Sequence, residues 1–308
     1  NGNTAGADIF ITGSILGTGV DGGGTLILNA GTNGTILIGG NIGTSEAIKR
    51  IVIENAGQVI IEGNVQAQIF EILNGRGDVT FGTSASNFVR IQGVDGSDGL
   101  FSVRTVNNIT INGDLELPLF VADDPEDTSV VIPEGHANFE ITGTSGTRQL
   151  WIKGEVDVGN GDLTIVRAGR VLMSNDVFVS GTLSQATGLD NTRFEKEVSA
   201  AEINLRANNQ IRFGGGVTLL SGDLTLITNN IDFRGGNTSV VGALSDSGQS
   251  ISNAYFRPIS PAGEMNIGSP LGAGSNFTFS ATDIAALQNG WNAIVFGYAT
   301  SSTNLARI

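Results

Sequence analysis

One histidine and no cysteine limit this chain to oxygen chemistry. Without thiols there is no disulfide scaffold, no thiolate nucleophile and no thiolate metal site. His136 stands alone in the stretch PEGHANF at 133–139, where a zinc site would need nitrogen or sulfur partners that the chain lacks. It reads as an exposed loop residue. The carboxylates are the remaining candidates. Asp123, Asp124, Glu126 and Asp127 crowd one short run interrupted by Pro125, and Asp95, Ser97 and Asp98 form a second group. Calcium prefers oxygen ligands, so these are its weak candidates, the first run above all. Neither matches an EF-hand loop, and GNGDLTI at 159–165 holds half of a calcium nonapeptide with no tandem copy. Solvated turns are the simpler expectation, with no cofactor assigned.

Carboxylates beside a cation also suit polysaccharide lyases and hydrolases, which work through paired acids. Glu155, Asp157 and Asp162 with Lys153 form one such set, and Asp114 and Glu116 with Arg104 another. Outward charges of this kind are equally expected on any solvated strand face. The glycine runs GGGT at 22–25 and GGGV at 214–217 lack the Lys-Ser/Thr of a phosphate loop and read as flexible turns. The sequons at Asn108 and Asn237 carry little weight.

The elements that hold these residues are strands. In NNITINGDLEL (107–117), Ile109, Ile111, Leu115 and Leu117 share one face, and Thr110, Asn112, Asp114 and Glu116 the other. That strict period of two marks a half-buried strand, yet its central inward position is Gly113. The same apolar-x-Gly-x-apolar unit recurs around Gly13, Gly63, Gly154, Gly181 and Gly222, with looser copies at Gly40, Gly93 and Gly143. The spacing is about 20–30 residues, and two gaps of 41 read as double periods with one degenerate copy. Helical periodicity is nearly absent, which removes helical repeat arrays. The expected fold is all-β, a right-handed parallel β-helix (β-solenoid) with lateral loops, of about 13 coils stacked roughly 4.8 Å apart. Gly113 then marks a corner between two short strands.

A single elongated unit over residues 1–308 is expected, with excursions near 121–139, 184–201 and 245–275. The segment 276–308 departs from the pattern. In FSATDIAALQNGW (279–291), Ser280 and Asp283 make a capping box for one short helix of Ile284, Ala285, Leu287 and Gln288, which Gly290 ends. A strand follows. The first residue is not Met and neither end reads as a cap, so the chain is taken as a processed protein or a piece of a longer one. The net charge of −14 argues against nucleic acid and against anionic lipid. No apolar run is long enough for a spanning helix.

The block FTFSATDIAALQNGWNAIVFGYA at 277–299 resembles one found between β-helical stretches of large bacterial surface proteins of the filamentous-haemagglutinin-like kind. Ser280, Asp283, Ile284, Leu287, Gly290, Trp291, Ile294 and Gly297 carry the likeness. Tyr298 departs from the polar residue usual there. The resemblance implies an exported, non-enzymatic, extracellular fibre at the bacterial surface: an adhesin, a sheath or matrix component, or a stalk. Its partners would be other copies or further β-helical coils, stacked end to end or laterally, with surface glycans or cell-envelope components as adhesion targets. The alternatives are a β-helical polysaccharide lyase or hydrolase, and a trimeric phage or appendage fibre.

Overall fold

The computed structural model describes residues 6–17, 23–93, 97–118, 134–159, 161–261, 265–268, 277–288 and 290–298. It is all-β with long parallel sheets and one short helix near the C-terminus. Every pairing between described strands is parallel, and most strands meet a partner one turn of chain away, whereas Met265–Ile267 pairs with the nearby Phe277–Phe279. Ile9 pairs with Ile36, Ile36 with Val59, and Val59 with Val79. This is solenoid-like stacking.

Three faces repeat. The first is a twelve-stranded sheet running from Ile9–Ile11 through Ile109–Ile111 to Met265–Ile267. The other two are joined into one sheet because some strands bend across the corner between them. Val65–Gly75 pairs with Phe88–Ile91 through its first residues and with Gly99–Thr105 through its last. Val177–Gly188 and Val198–Ala207 bridge the same corner.

The alternation read from sequence fills the interior with columns one residue deep. On the second face, Val65, Val89, Leu115, Val156, Val177, Val198 and Val217 stack in register, all buried. Phe70, Phe81, Phe101 and Phe139 form one aromatic cluster, and Phe194, Phe213 and Phe233 stack as another. Some buried positions are polar, and two of them meet: Thr192 donates its hydroxyl to Gln185 Oε1 at 2.6 Å.

Gly113 lies between Ile109–Ile111 on the first face and Asp114–Leu117 on the second. It is a corner, as expected. A Cβ there would overlap the carbonyl oxygen of Asn87 one coil below. Gly40 abuts Gly13, Gly63 abuts Gly40, Gly154 abuts Gly113, and Gly235 abuts Gly215 in the same column. GGGV at 214–217 is therefore a tight corner and not a flexible turn. Gly181 and Gly222 mark a different corner. Gly181 stacks on Gly161 between the second and third faces, and Gly222 on Ala201.

The two gaps of 41 thus have different origins. From Gly113 to Gly154 is a single coil, since Ile109 pairs directly with Leu150. Its extra length lies between the strands that end at Leu117 and begin at Gly135. From Gly181 to Gly222 is two coils, with Ala201 as the intervening corner.

The expected excursions shrink. Residues 184–201 are coil, not loop: Val177–Gly188, Thr192–Phe194 and Val198–Ala207 are strands. Their inward positions hold Gln185, Thr192 and Ala200, small or polar residues that hide the alternation. The charges of RFEKE at 193–197 sit outward and at the corner, around inward Phe194. Residues 135–139 belong to the strand Gly135–Ile141, and 253–257 to Asn253–Arg257. What leaves the stack near 245 is a small turn closed by an antiparallel bridge from Leu244 to Ser250.

Substituting Gly113→Ala should destabilise the protein by about 1–3 kcal/mol, because backbone cannot yield to the new Cβ. Gly13→Ala, where the same corner is open with nothing within 4 Å, should stay within about 0.5 kcal/mol. Urea unfolding of the two variants measures the contrast.

Candidate functional site

The acids resolve first into a structural ladder. A strand here typically opens on Asp or Asn, as in DVTF, NITI, DLTI and DLTL. Those side chains accept hydrogen bonds from backbone N–H groups one coil on, where the chain turns and lacks ladder partners. Asp78 Oδ1 accepts from Asn108 N–H at 3.1 Å, and Asn108 Oδ1 in turn from Gln149 N–H at 2.8 Å. Asp114 serves Glu155, Asp162 serves Thr182, Asp176 serves Glu197 and Asp223 serves Asn253, all between 2.7 and 3.0 Å. Asn108 is thereby engaged by its oxygen and, through Nδ2, with Asp78 Oδ1 at 2.9 Å.

This ladder absorbs two of the residues considered for catalysis, Asp114 and Asp162. The remainder do not converge within either set. Lys153 lies over the Trp151 ring at 4.2 Å, and Glu155 is exposed at the first corner. Asp157 faces out from the second face, and Asp162 sits before the third. Arg104 is on the third face, paired to Glu140 at 2.9 Å, and does not join Glu116. Arg104 and Glu140 line a shallow groove of about 290 Å³ with Leu73, Ser102, Asn138 and Val166. They neutralise each other there, and no third charge lines the groove.

One row does gather titratable groups across coils, and its cation was not picked out from sequence. Arg90, Glu116 and Asp157 are register neighbours on the outside of the second face. Arg90 donates to Glu116 Oε2 at 2.6 Å and rests on the Phe88 ring. Asp157 has Glu116 on one side and the apolar Phe178 on the other. Burial pushes its carboxyl above the usual carboxylate range, and the Glu116 charge adds to the rise. The signal available beforehand was positional: all three are the same outward residue of successive second-face strands.

His136 is not in a loop. It is half-buried on Gly135–Ile141, with Nε2 3.3 Å from Glu134 and Nδ1 3.9 Å from Asp162. Of the calcium candidates, Asp123, Asp124, Glu126, Asp127 and Asp95 fall outside the described residues. Asp98 accepts from Glu134 N–H at 2.9 Å, as a member of the Asx ladder. Among the described residues no group of three or more His, Cys, Asp or Glu side chains could hold a metal ion. Nor is any described helix long and apolar enough to cross a membrane.

The C-terminal block forms the expected capping box on the helix Ala281–Ala286. The helix stops at Leu287, which is extended, before Gly290 is reached. Its buried residues are Asp283 and Ala286, while Ile284 is exposed. Asp283 Oδ1 also accepts Phe233 N–H at 2.9 Å, so the cap is tied into the first face. Trp291 packs on Gly242, and Tyr298 donates its hydroxyl to the Pro258 carbonyl. Neither the family models, the curated proteins nor the solved structures provide a match to this chain.

Three substitutions separate the roles of these acids. Asp223→Ala should cost about 1–2 kcal/mol by orphaning the Asn253 donors, whereas Asp223→Asn keeps the acceptor and should cost little. Asp157 behaves oppositely. A folded-state pKa above the unfolded one contributes stability at low pH that is lost as pH rises through the folded pKa. Asp157→Asn should therefore raise the melting temperature at pH 7, and the advantage should vanish below about pH 4, where both forms are neutral.

Proposed function

We propose that this chain is a non-enzymatic segment of a large secreted bacterial surface protein, built as a right-handed parallel β-helix, that acts as a structural or adhesive fibre outside the cell. The observation carrying this reading is the use made of the polar side chains. Asp and Asn at the corners bind the next coil's backbone, and the outward ion pairs Arg50–Glu71, Arg90–Glu116 and Arg170–Asp190 link neighbouring coils along the rod. A chain whose described corner acids are occupied in this way is organised to be long and stiff. The likeness of the 277–299 block to filamentous-haemagglutinin-like proteins supports the same assignment, as does the absence of cysteine, which leaves no disulfide to hinder export unfolded. Contacts with further coils, with other copies and with envelope glycans follow from it as proposals. Electron microscopy and fibre diffraction test the assignment. Rods or fibres with an axial spacing of about 4.8 Å are expected; threefold particles would favour an appendage fibre instead.

A second reading, a polysaccharide lyase or hydrolase, draws on the Arg90–Glu116–Asp157 row, where one carboxyl is held protonated more readily beside another. Paired acids of unequal pKa are the arrangement that general acid–base cleavage requires. Incubation with neutral and acidic polysaccharides, followed by assay of new reducing or unsaturated ends, decides between the two. No product is expected. Cleavage abolished by Asp157→Asn would establish the enzyme.

A further inference from the structure

The three faces differ in what they show to solvent. The outward row of the third face is polar through its middle, with Ser102, Asn138, Thr164, Ser184, Asn204 and Thr225 in register, and carries Ile27, Val52, Tyr255 and Val295 only toward its ends. The matching row of the first face runs Phe10, Leu37, Ile60, Thr80, Thr110, Trp151, Leu172, Arg193. Its first seven members carry no charge, and five are large and apolar. A strand with one solvated face does not need this, since its inward residues already fill the core. Phe10 is 62% exposed, and Leu37, Ile60, Trp151 and Leu172 are shaded only in part. A contiguous outward stripe of this kind marks an interaction surface.

We propose that the first face is a self-association surface, on which a second copy of this chain packs antiparallel, face to face, with Thr80 of one copy opposite Thr110 of the other. The order of residues in the row selects that register. A two-fold axis between Thr80 and Thr110 places Ile60 against Trp151, Leu37 against Leu172 and Phe10 against Arg193. Leu37 then meets Leu172, Ile60 meets the Trp151 ring beside Lys153, hydroxyl meets hydroxyl, and a guanidinium covers an aromatic ring. A parallel arrangement in the same register would instead stack Arg193 on Arg193. The overlap spans eight coils, about 38 Å by a strand width of about 13 Å, or about 1,000 Å² counting both copies. That is the lower bound of a specific interface and fits a reversible dimer better than a permanent one. Each copy carries −14, so salt should strengthen the pairing by screening repulsion between the copies. This inference rests on the fibre reading and supplies its lateral contact.

The test uses the whole chain. Sedimentation across concentration and salt should show a reversible dimer, favoured by higher salt. Leu172→Lys, an outward change, should weaken it at least about tenfold while leaving circular dichroism unchanged. The protein has no native cysteine, so single thiols are clean probes. A mixture of Thr80→Cys and Thr110→Cys variants should be joined by a short bis-maleimide that spans about 10 Å, the separation of sheets packed face to face, and Thr164→Cys on the third face should not. A monomer at every concentration, cross-linking through Thr164→Cys alone, or a monomer whose Trp151 fluorescence responds to a soluble glycan would each overturn the proposal. Rods seen by microscopy alongside a monomeric protein would sink the dimer and leave the fibre reading standing.

Discussion

Parallel stacking at a fixed strand spacing governs this molecule. Each coil must lay its backbone within hydrogen-bonding distance of the coil below, on every face and around every corner. On the faces any residue can do this. At the corners the chain turns while still being held to that distance, so the space for a side chain disappears. Gly40 and Gly63, each set on the glycine of the coil below, and the pair Gly113–Gly154 are the direct result, as is the second column through Gly161 and Gly181.

The same constraint explains where the polar groups go. A turning backbone leaves N–H groups without ladder partners, and a buried or half-buried donor left unmade costs more than a typical bond contributes. Asp and Asn placed one residue before a strand reach the next coil's donor, as Asp78 and Asn108 do in succession. An acidic, amide-rich composition is therefore partly architectural. Its consequence for function is that Asp98, Asp114 and Asp162, which invite a catalytic or metal reading, are already engaged, whereas Asp157 beside Glu116 is raised in pKa by burial.

Much of the fold was legible because the interior demands period two. Ile109, Ile111, Leu115 and Leu117 are all buried, and the glycine between the pairs is a corner. The alternation failed where inward positions hold Gln185, Thr192 or Ala200, so that a regular stretch of coil read as an excursion. The candidate sites were less legible. Arg104 and Glu116 look like partners in sequence, yet a corner and a face separate them, and Arg104 pairs with Glu140 from the next coil of its own face.

The amino-acid sequence by itself determined the class of structure, the inward residues and the presence of corners, since these follow from local chemistry: alternation, glycine sterics and the turn preference of Asp and Asn. Tertiary structure decided which coil stacks on which. Two spacings of 41 residues are indistinguishable along the chain, yet one is a single coil with an insertion and the other is two coils. Only the register of backbone pairing tells them apart. The outward rows, and the apolar stripe from Phe10 to Leu172, exist only once that register is set.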